Sequence, residues 1–186
     1  MESTSRPSQT VLTVDLDALT GNYRTLRDRL GGKAACAGVV KADAYGLGVR
    51  RVAPALAAAG CREFFVAHLG EGLQVREVTP RDASVYVLNG LLAGEEDEFR
   101  ASALTPVLNN LEQIRRWSEA CRRAGRPLPA AVHVDTGMSR LGLPMSEAAT
   151  LMREPERLQG IDVRYVMSHL ACSEEDTRSE EHTSEL

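Results

Sequence analysis

Aromatic side chains are scarce in this chain of 186 residues: one Trp, three Phe and four Tyr. Such a chain is expected to carry its packing on Ala, Leu, Val and Arg instead. Basic surplus is also missing, since 22 Lys and Arg face 26 Asp and Glu for a net charge of −4, so nothing favours nucleic acid or an anionic membrane as partner. Cys36, Cys61, Cys121 and Cys172 stand far apart with no C-x-x-C pair, which reads as buried free thiols in a reducing cytoplasm rather than as metal ligands. There is no apolar run of transmembrane length, and "MESTSRPSQT" lacks the apolar centre of a signal peptide. No G-x-G-x-x-G follows an early strand, which weakens a dinucleotide-binding reading.

What is present is alternation. "TVLTV" reads as a short strand, and Leu16, Leu19, Tyr23, Leu26 and Leu30 then recur at helical spacing behind Asp15 or Asp17 as cap. Six β-branched runs follow, ending near "ACAGVVK", "EFFVAH", "SVYVLNG", "LTPVLNN", "AAVHVDT" and "VRYVMSHLA", each separated from the next by a helical pattern. Strands separated by helices imply right-handed crossovers and a parallel sheet. The expected fold class is therefore α/β, either an open doubly wound sheet or a (β/α)8 barrel. Polar groups recur where these strands end, at Lys41, His68, Asn89, Asn109, Asn110, Asp135 and His169. That favours a TIM-type barrel, whose active sites sit at that end, with about six of its eight β/α units present.

One of those groups stands apart. In "VVKADAYGLG" (Val39 to Gly48), an apolar run delivers Lys41 and then breaks into a small turn. A lysine at a strand end can simply snorkel to solvent. Set among low-dielectric walls it can instead act as a nucleophilic amine, because desolvation disfavours an ammonium. Gly46 and Gly48 let backbone approach a bound anion, and Tyr45 adds a phenol. Amine, phenol and close-approach turn suit an aldehyde cofactor that bears a phosphate.

The same stretch resembles the cofactor-attachment signature of alanine racemases, fold-type III enzymes that use pyridoxal 5′-phosphate. "HVDTGMSRLGL" (His133 to Leu143) and "YVMSHLACSEED" (Tyr165 to Asp176) match that family in the same order, and the likeness covers residues 10 to 177. The resemblance implies that Lys41 holds the cofactor covalently and serves as base on one face of the substrate. It implies that Tyr45 hydrogen-bonds the cofactor phosphate. Arg140 would reach the substrate carboxylate and the cofactor's phenolic oxygen, a task suited to its forked donors. His169 would lie against the pyridine ring. Asp135, Thr136 and Gly137 would shape the loop that holds Arg140, although Arg140 could also pair with Asp135; Met138 would pack. Many family members carry a carbamylated lysine where this chain has His133. Positioning of Arg140 must then use His133 itself, a bound anion or a carboxylate elsewhere.

The resemblance further implies a cytoplasmic homodimer that supplies D-alanine for peptidoglycan, with neither nucleic acid nor membrane as partner and no metal. A broader racemase acting on serine, or a non-catalytic pyridoxal-phosphate barrel, stays open as an alternative. The family's last two barrel strands, its C-terminal β domain with the opposite-face tyrosine, and an arginine at the pyridine nitrogen have no counterpart in these residues. Residues 1–177 are expected to be a partial N-terminal barrel, inactive alone. Residues 178–186, "RSEEHTSEL", read as a translated library adapter, a disordered tail foreign to the protein.

Overall fold

A computed structural model describes residues 10–171. The acidic segment from Cys172 onward, including residues 178–186, therefore lies outside the described residues. Six parallel strands are hydrogen-bonded in the order in which they occur along the chain: β1 (Gly38–Val39), β2 (Glu63–Val66), β3 (Ser84–Val87), β4 (Thr105–Leu108), β5 (Leu128–His133) and β6 (Ile161–Met167). Helices α3 (Val49–Ala58), α4 (Leu69–Val78), α5 (Glu96–Ala101), α6 (Leu111–Ala124) and α7 (Met145–Arg153) fill the crossovers. A sequential, all-parallel order with helices between strands is that of a (β/α)8-type barrel, here with six units among the described residues. The doubly wound alternative, in which strand order reverses about a switch point, is excluded.

Helix α1 (Leu16–Arg29) precedes the first strand. It starts at Asp15, whose carboxylate accepts from the N–H groups of Asp17 and Ala18 at 2.9 Å. Thr10 to Val14, expected as a strand, form none; Val11 and Leu12 are exposed at the start of the described chain with no strand beside them. β-Branched composition alone does not make a strand without a partner edge.

Alternation along each strand separates two packed regions. One side of the sheet meets the helices through Phe64, Val66, Val85, Val87, Ala130 and Val132. Ile114 and Trp117 of α6, three positions apart on one helical face, are both buried there, and Leu111 packs beside them. Trp117 meets Phe99 edge-on at a centroid distance of 6.1 Å and donates its indole N–H to the Pro129 carbonyl at 3.2 Å. Cys61 and Cys121 are buried free thiols and Cys36 is half-buried, as their spacing predicts. Cys172 lies outside the described residues.

The other side forms a small barrel interior of Tyr86, Val107 and Ala131 with Phe65, Leu88 and Met167 packed against them. Phe65 stacks on Tyr86 at 4.7 Å. A register shift opposite Ala130 and Ala131 lets β6 change faces, so that Val163 packs with the helices while Met167 points to the interior. Removing the largest core side chain tests this packing. Trp117→Ala in the complete gene product is expected to cost about 3–5 kcal/mol in denaturant unfolding. A loss under about 1 kcal/mol would mean that α6 is not seated as described.

Candidate active site

Period-two geometry continues past the strand ends. Lys41, His68, Asn89, Asp135 and His169 each stand two residues beyond the last residue of their strand, and Asn109 stands one beyond. Val39 to Lys41, Phe65 to Ala67, Ala131 to His133 and Met167 to His169 are steps of two on the inward face. Seven of these eight residues, all but the fully buried Ala131, line one cleft of about 930 Å³ at the C-terminal rim. Tyr45 and Arg140 line it too, so the four residues expected at the site converge there. A second, polar cleft of about 420 Å³ lies at the opposite end, among Glu63, Arg81, Asp82 and Arg164.

Lys41 opens a segment no pattern in the sequence announces. Ala42, Asp43 and Ala44 have φ of 51, 54 and 55° with ψ near those of a left-handed helix, and Tyr45 follows with φ of 57°. This turn, α2 (Lys41–Tyr45), carries four non-glycine residues where each costs roughly 1–2 kcal/mol. Short side chains lower the steric penalty, and three side-chain and backbone ties hold the turn. Asp43 accepts from the Val49 N–H through Oδ1 at 2.7 Å and from the Gly48 N–H through its carbonyl at 2.9 Å. Gly46 ends the turn at φ 81°.

The third tie comes from the next β/α unit. Glu71 Oε1 accepts from the Ala42 N–H at 2.8 Å, while Oε2 accepts from Ala67 at 2.7 Å and from His68 at 3.3 Å. One carboxylate thus fastens the residue after Lys41 to the end of β2. The capping-box spacing from His68 to Glu71 was the available signal, though it predicts only the local half of these bonds.

The loop after β5 is held by Asp135. Its Oδ1 accepts from the N–H groups of Gly137 and Ser139, both at 3.0 Å, and those donors hold the carboxyl below the usual carboxylate range. Asp135 therefore shapes the loop; it does not pair with Arg140, which makes no hydrogen bond or ion pair among the described residues. Thr136 meets the Ser168 hydroxyl, tying this loop to the end of β6. Gly142 turns the chain back at φ 107°, where an added Cβ would stand 2.7 Å from the Asp135 nitrogen and 3.2 Å from the His133 ring. Arg140 and His169 are exposed on the rim, and Tyr45 is 62% exposed.

Beneath them His133 is buried, its Nδ1 2.9 Å from Asn109 Oδ1. Asn109 donates in turn to the carbonyls of Leu88 at 2.9 Å and Val107 at 2.8 Å. Gln113 accepts from the Asn109 N–H and donates to the Asn89 and Leu91 carbonyls, so the ends of β3, β4 and β5 share one polar network. Burial pushes His133 below its ordinary pKa; Asp135 raises it, and His169 and Arg140 lower it further.

An apolar-walled cleft that converges a lysine amine, a phenol, a guanidinium and an imidazole fits a planar aldehyde carrying an anionic group. Lys41 could meet the carbonyl of such a group, and Tyr45 and Arg140 could offer donors to its anionic oxygens, since all three line the cleft.

Residues 14–186 match the family model "Alanine racemase, N-terminal domain". The chain belongs to the alanine racemase family. It is 56% identical over 165 residues to an alanine racemase of Rhodospirillum rubrum, covering 89% of this chain and 44% of that protein. A catabolic alanine racemase of Agrobacterium fabrum is 51% identical over 164 residues, with 88% and 42% covered. Among solved structures, alanine racemase from Bartonella henselae with covalently bound pyridoxal phosphate superposes with a TM-score of 0.86 at 39% identity, covering 91% of this chain and 47% of that one. The chain thus spans less than half the length of the relatives it matches.

Two measurements check this alanine racemase-like rim. Glu71→Ala leaves the Ala42 and Ala67 amides without their acceptor and is expected to cost about 1–3 kcal/mol of stability, partly recovered by Glu71→Gln. Equal unfolding midpoints for wild type and Glu71→Ala would contradict that role. His133 is held below its unfolded value of 6.5, so the unfolded chain takes up the proton first and stability falls as pH drops below that value. Denaturant midpoints from about pH 8 to about pH 5 should therefore decline less steeply in His133→Gln than in wild type.

Proposed function

We propose that the protein carrying this chain is a pyridoxal 5′-phosphate-dependent racemase that interconverts L- and D-alanine, and that this chain contributes the cofactor-anchoring side of its active site. The observation that carries the reading is the convergence of Lys41, Tyr45, Arg140 and His169 on one cleft, from the first, fifth and sixth β/α units of a family member. When bound, the cofactor supplies an electron sink that acidifies the α-C–H bond of an attached amino acid.

The roles of the residues follow from their chemistry. Lys41 Nζ is a primary amine at the end of a strand; it would hold the cofactor by condensing with the cofactor's aldehyde, with loss of water, and as a free amine would take or return the substrate's α-proton on one face. Tyr45 would donate its phenolic O–H to a phosphate oxygen, and the glycine-containing turn beyond it would let backbone approach the same group. Arg140 offers a fork of N–H donors to the substrate carboxylate. His169 would offer its ring to the planar cofactor, with its Nδ1 held on its own chain at 3.0 Å from the Leu170 carbonyl.

Inversion needs a second base, because one base returns the proton to the face it left. We assign that task to a tyrosine of a second subunit, which makes the working protein a homodimer. The reading also places the protein in the cytoplasm, where D-alanine would feed peptidoglycan synthesis. Among the described residues no helix is long and apolar enough to cross a membrane.

The complete gene product should develop the visible absorbance of a lysine-bound cofactor and interconvert the alanine enantiomers. Lys41→Ala is expected to abolish the absorbance and to lower racemisation by at least about a hundredfold. A Lys41→Ala variant that retains both would overturn the reading.

A further inference from the structure

The buried pair beneath the cleft has a determinate proton arrangement. The amide nitrogen of Asn109 lies between two carbonyl oxygens, Leu88 at 2.9 Å and Val107 at 2.8 Å. Carbonyls only accept, so both amide hydrogens are committed and that end of the side chain must be the nitrogen. Its other end, Oδ1, has no proton to give. The 2.9 Å contact with His133 Nδ1 is a hydrogen bond only if His133 donates. With the ring buried to 5% exposure and held neutral by desolvation, Nδ1 carries the single proton and Nε2 keeps its lone pair.

That lone pair has no partner among the described residues, and the His133 ring borders the cleft that Arg140 also lines. Arg140 is likewise free of hydrogen bonds and ion pairs there, and both side chains line the same cleft. An arginine has only donors, and the neutral ring offers one acceptor beside the same cleft.

We propose that Asn109 locks His133 as the Nδ1–H tautomer so that Nε2 accepts a hydrogen bond from Arg140, making His133 the residue that positions the substrate-carboxylate arginine. This deepens the racemase reading and rests on it only for the identity of the carboxylate. Neutral histidine gives the guanidinium a directional acceptor without a negative charge, so the full cationic field remains for an anionic ligand. The substitution of lysine by histidine noted in the sequence is thereby paired with Asn109, since histidine without a tautomer lock could turn a donor toward Arg140.

The test uses the complete gene product with histidine isotope-labelled on nitrogen. Long-range proton–nitrogen correlations of His133, assigned by their loss in His133→Gln, should show a protonated Nδ1 and an unprotonated Nε2 at neutral pH. A proton on Nε2, or on both nitrogens, overturns the proposal. In Arg140→Ala the Nε2 resonance should move to the position of a ring nitrogen without a donor; an unmoved resonance overturns the contact. Neither measurement needs turnover, so both stand if alanine proves to be the wrong substrate. With racemisation as readout, His133→Leu should raise KM for alanine about tenfold with a smaller change in kcat, and His133→Gln, which keeps one donor and one acceptor, should recover part of that loss. An unchanged KM in a folded His133→Leu variant argues against a positioning role.

Discussion

An inward side chain at one strand position obliges the one two residues later to face inward as well, and six parallel strands apply that rule at a single rim. The interior layer of Phe65, Tyr86, Val107 and Ala131 is ordinary packing. One step further along the same strands come Ala67, Leu88, Asn109 and His133, and they floor the cleft or brace its floor. Chemistry therefore depends on packing in a direct sense. A slip of one residue in any strand would send its rim group to the helices. The shift opposite Ala130 and Ala131 shows the same dependence from the other side, because it is what brings Met167 and the residues after it to the interior.

The rim is built in two tiers of different character. The lower tier is uncharged and tied together: Gln113 bonds to Asn109, Asn109 to His133, and both amide side chains also donate to backbone carbonyls near the strand ends. The upper tier carries the cationic side chains, half-buried Lys41 and exposed Arg140, with His169 beside them around an apolar wall. A neutral floor beneath cationic walls leaves the field of the cleft directed at an anionic ligand, where a buried carboxylate would have cancelled part of it. It also avoids the desolvation cost that a charged floor would carry.

How much of this could be read in the residues varies with the physics involved. The six β/α units and the rim positions followed from periodicity and from the places where it breaks, both of which are local. Family resemblance located Lys41, Tyr45, Arg140 and His169, and the structure brings those four together. The strand expected at Thr10 to Val14 failed because a strand needs a neighbouring edge, which composition does not supply. Glu71 escaped notice, and Asn109 was read only as a strand-end polar group, for a related reason. Each looks like a helix-start residue in sequence, and their second partners lie 29 and 24 positions away. The left-handed turn after Lys41 was also invisible, since alanine and aspartate carry no left-handed signature in a run.

That turn imposes a condition on everything proposed for Lys41. Four consecutive left-handed residues persist only where the surroundings over-determine them. Asp43 secures the far end through Val49 and Gly48, and Ala44 is buried beneath. The near end rests on Glu71, whose carboxylate also fixes the close of β2. The backbone at Lys41 is consequently referenced to the second β/α unit as well as to its own strand. What remains soft is the lysine's four-carbon stem, the part that must move if the amine is to bind a carbonyl and then release it. A rigid root with a mobile tip is the arrangement that lets one amine serve as both anchor and base, and here the rigidity comes from a carboxylate that touches neither.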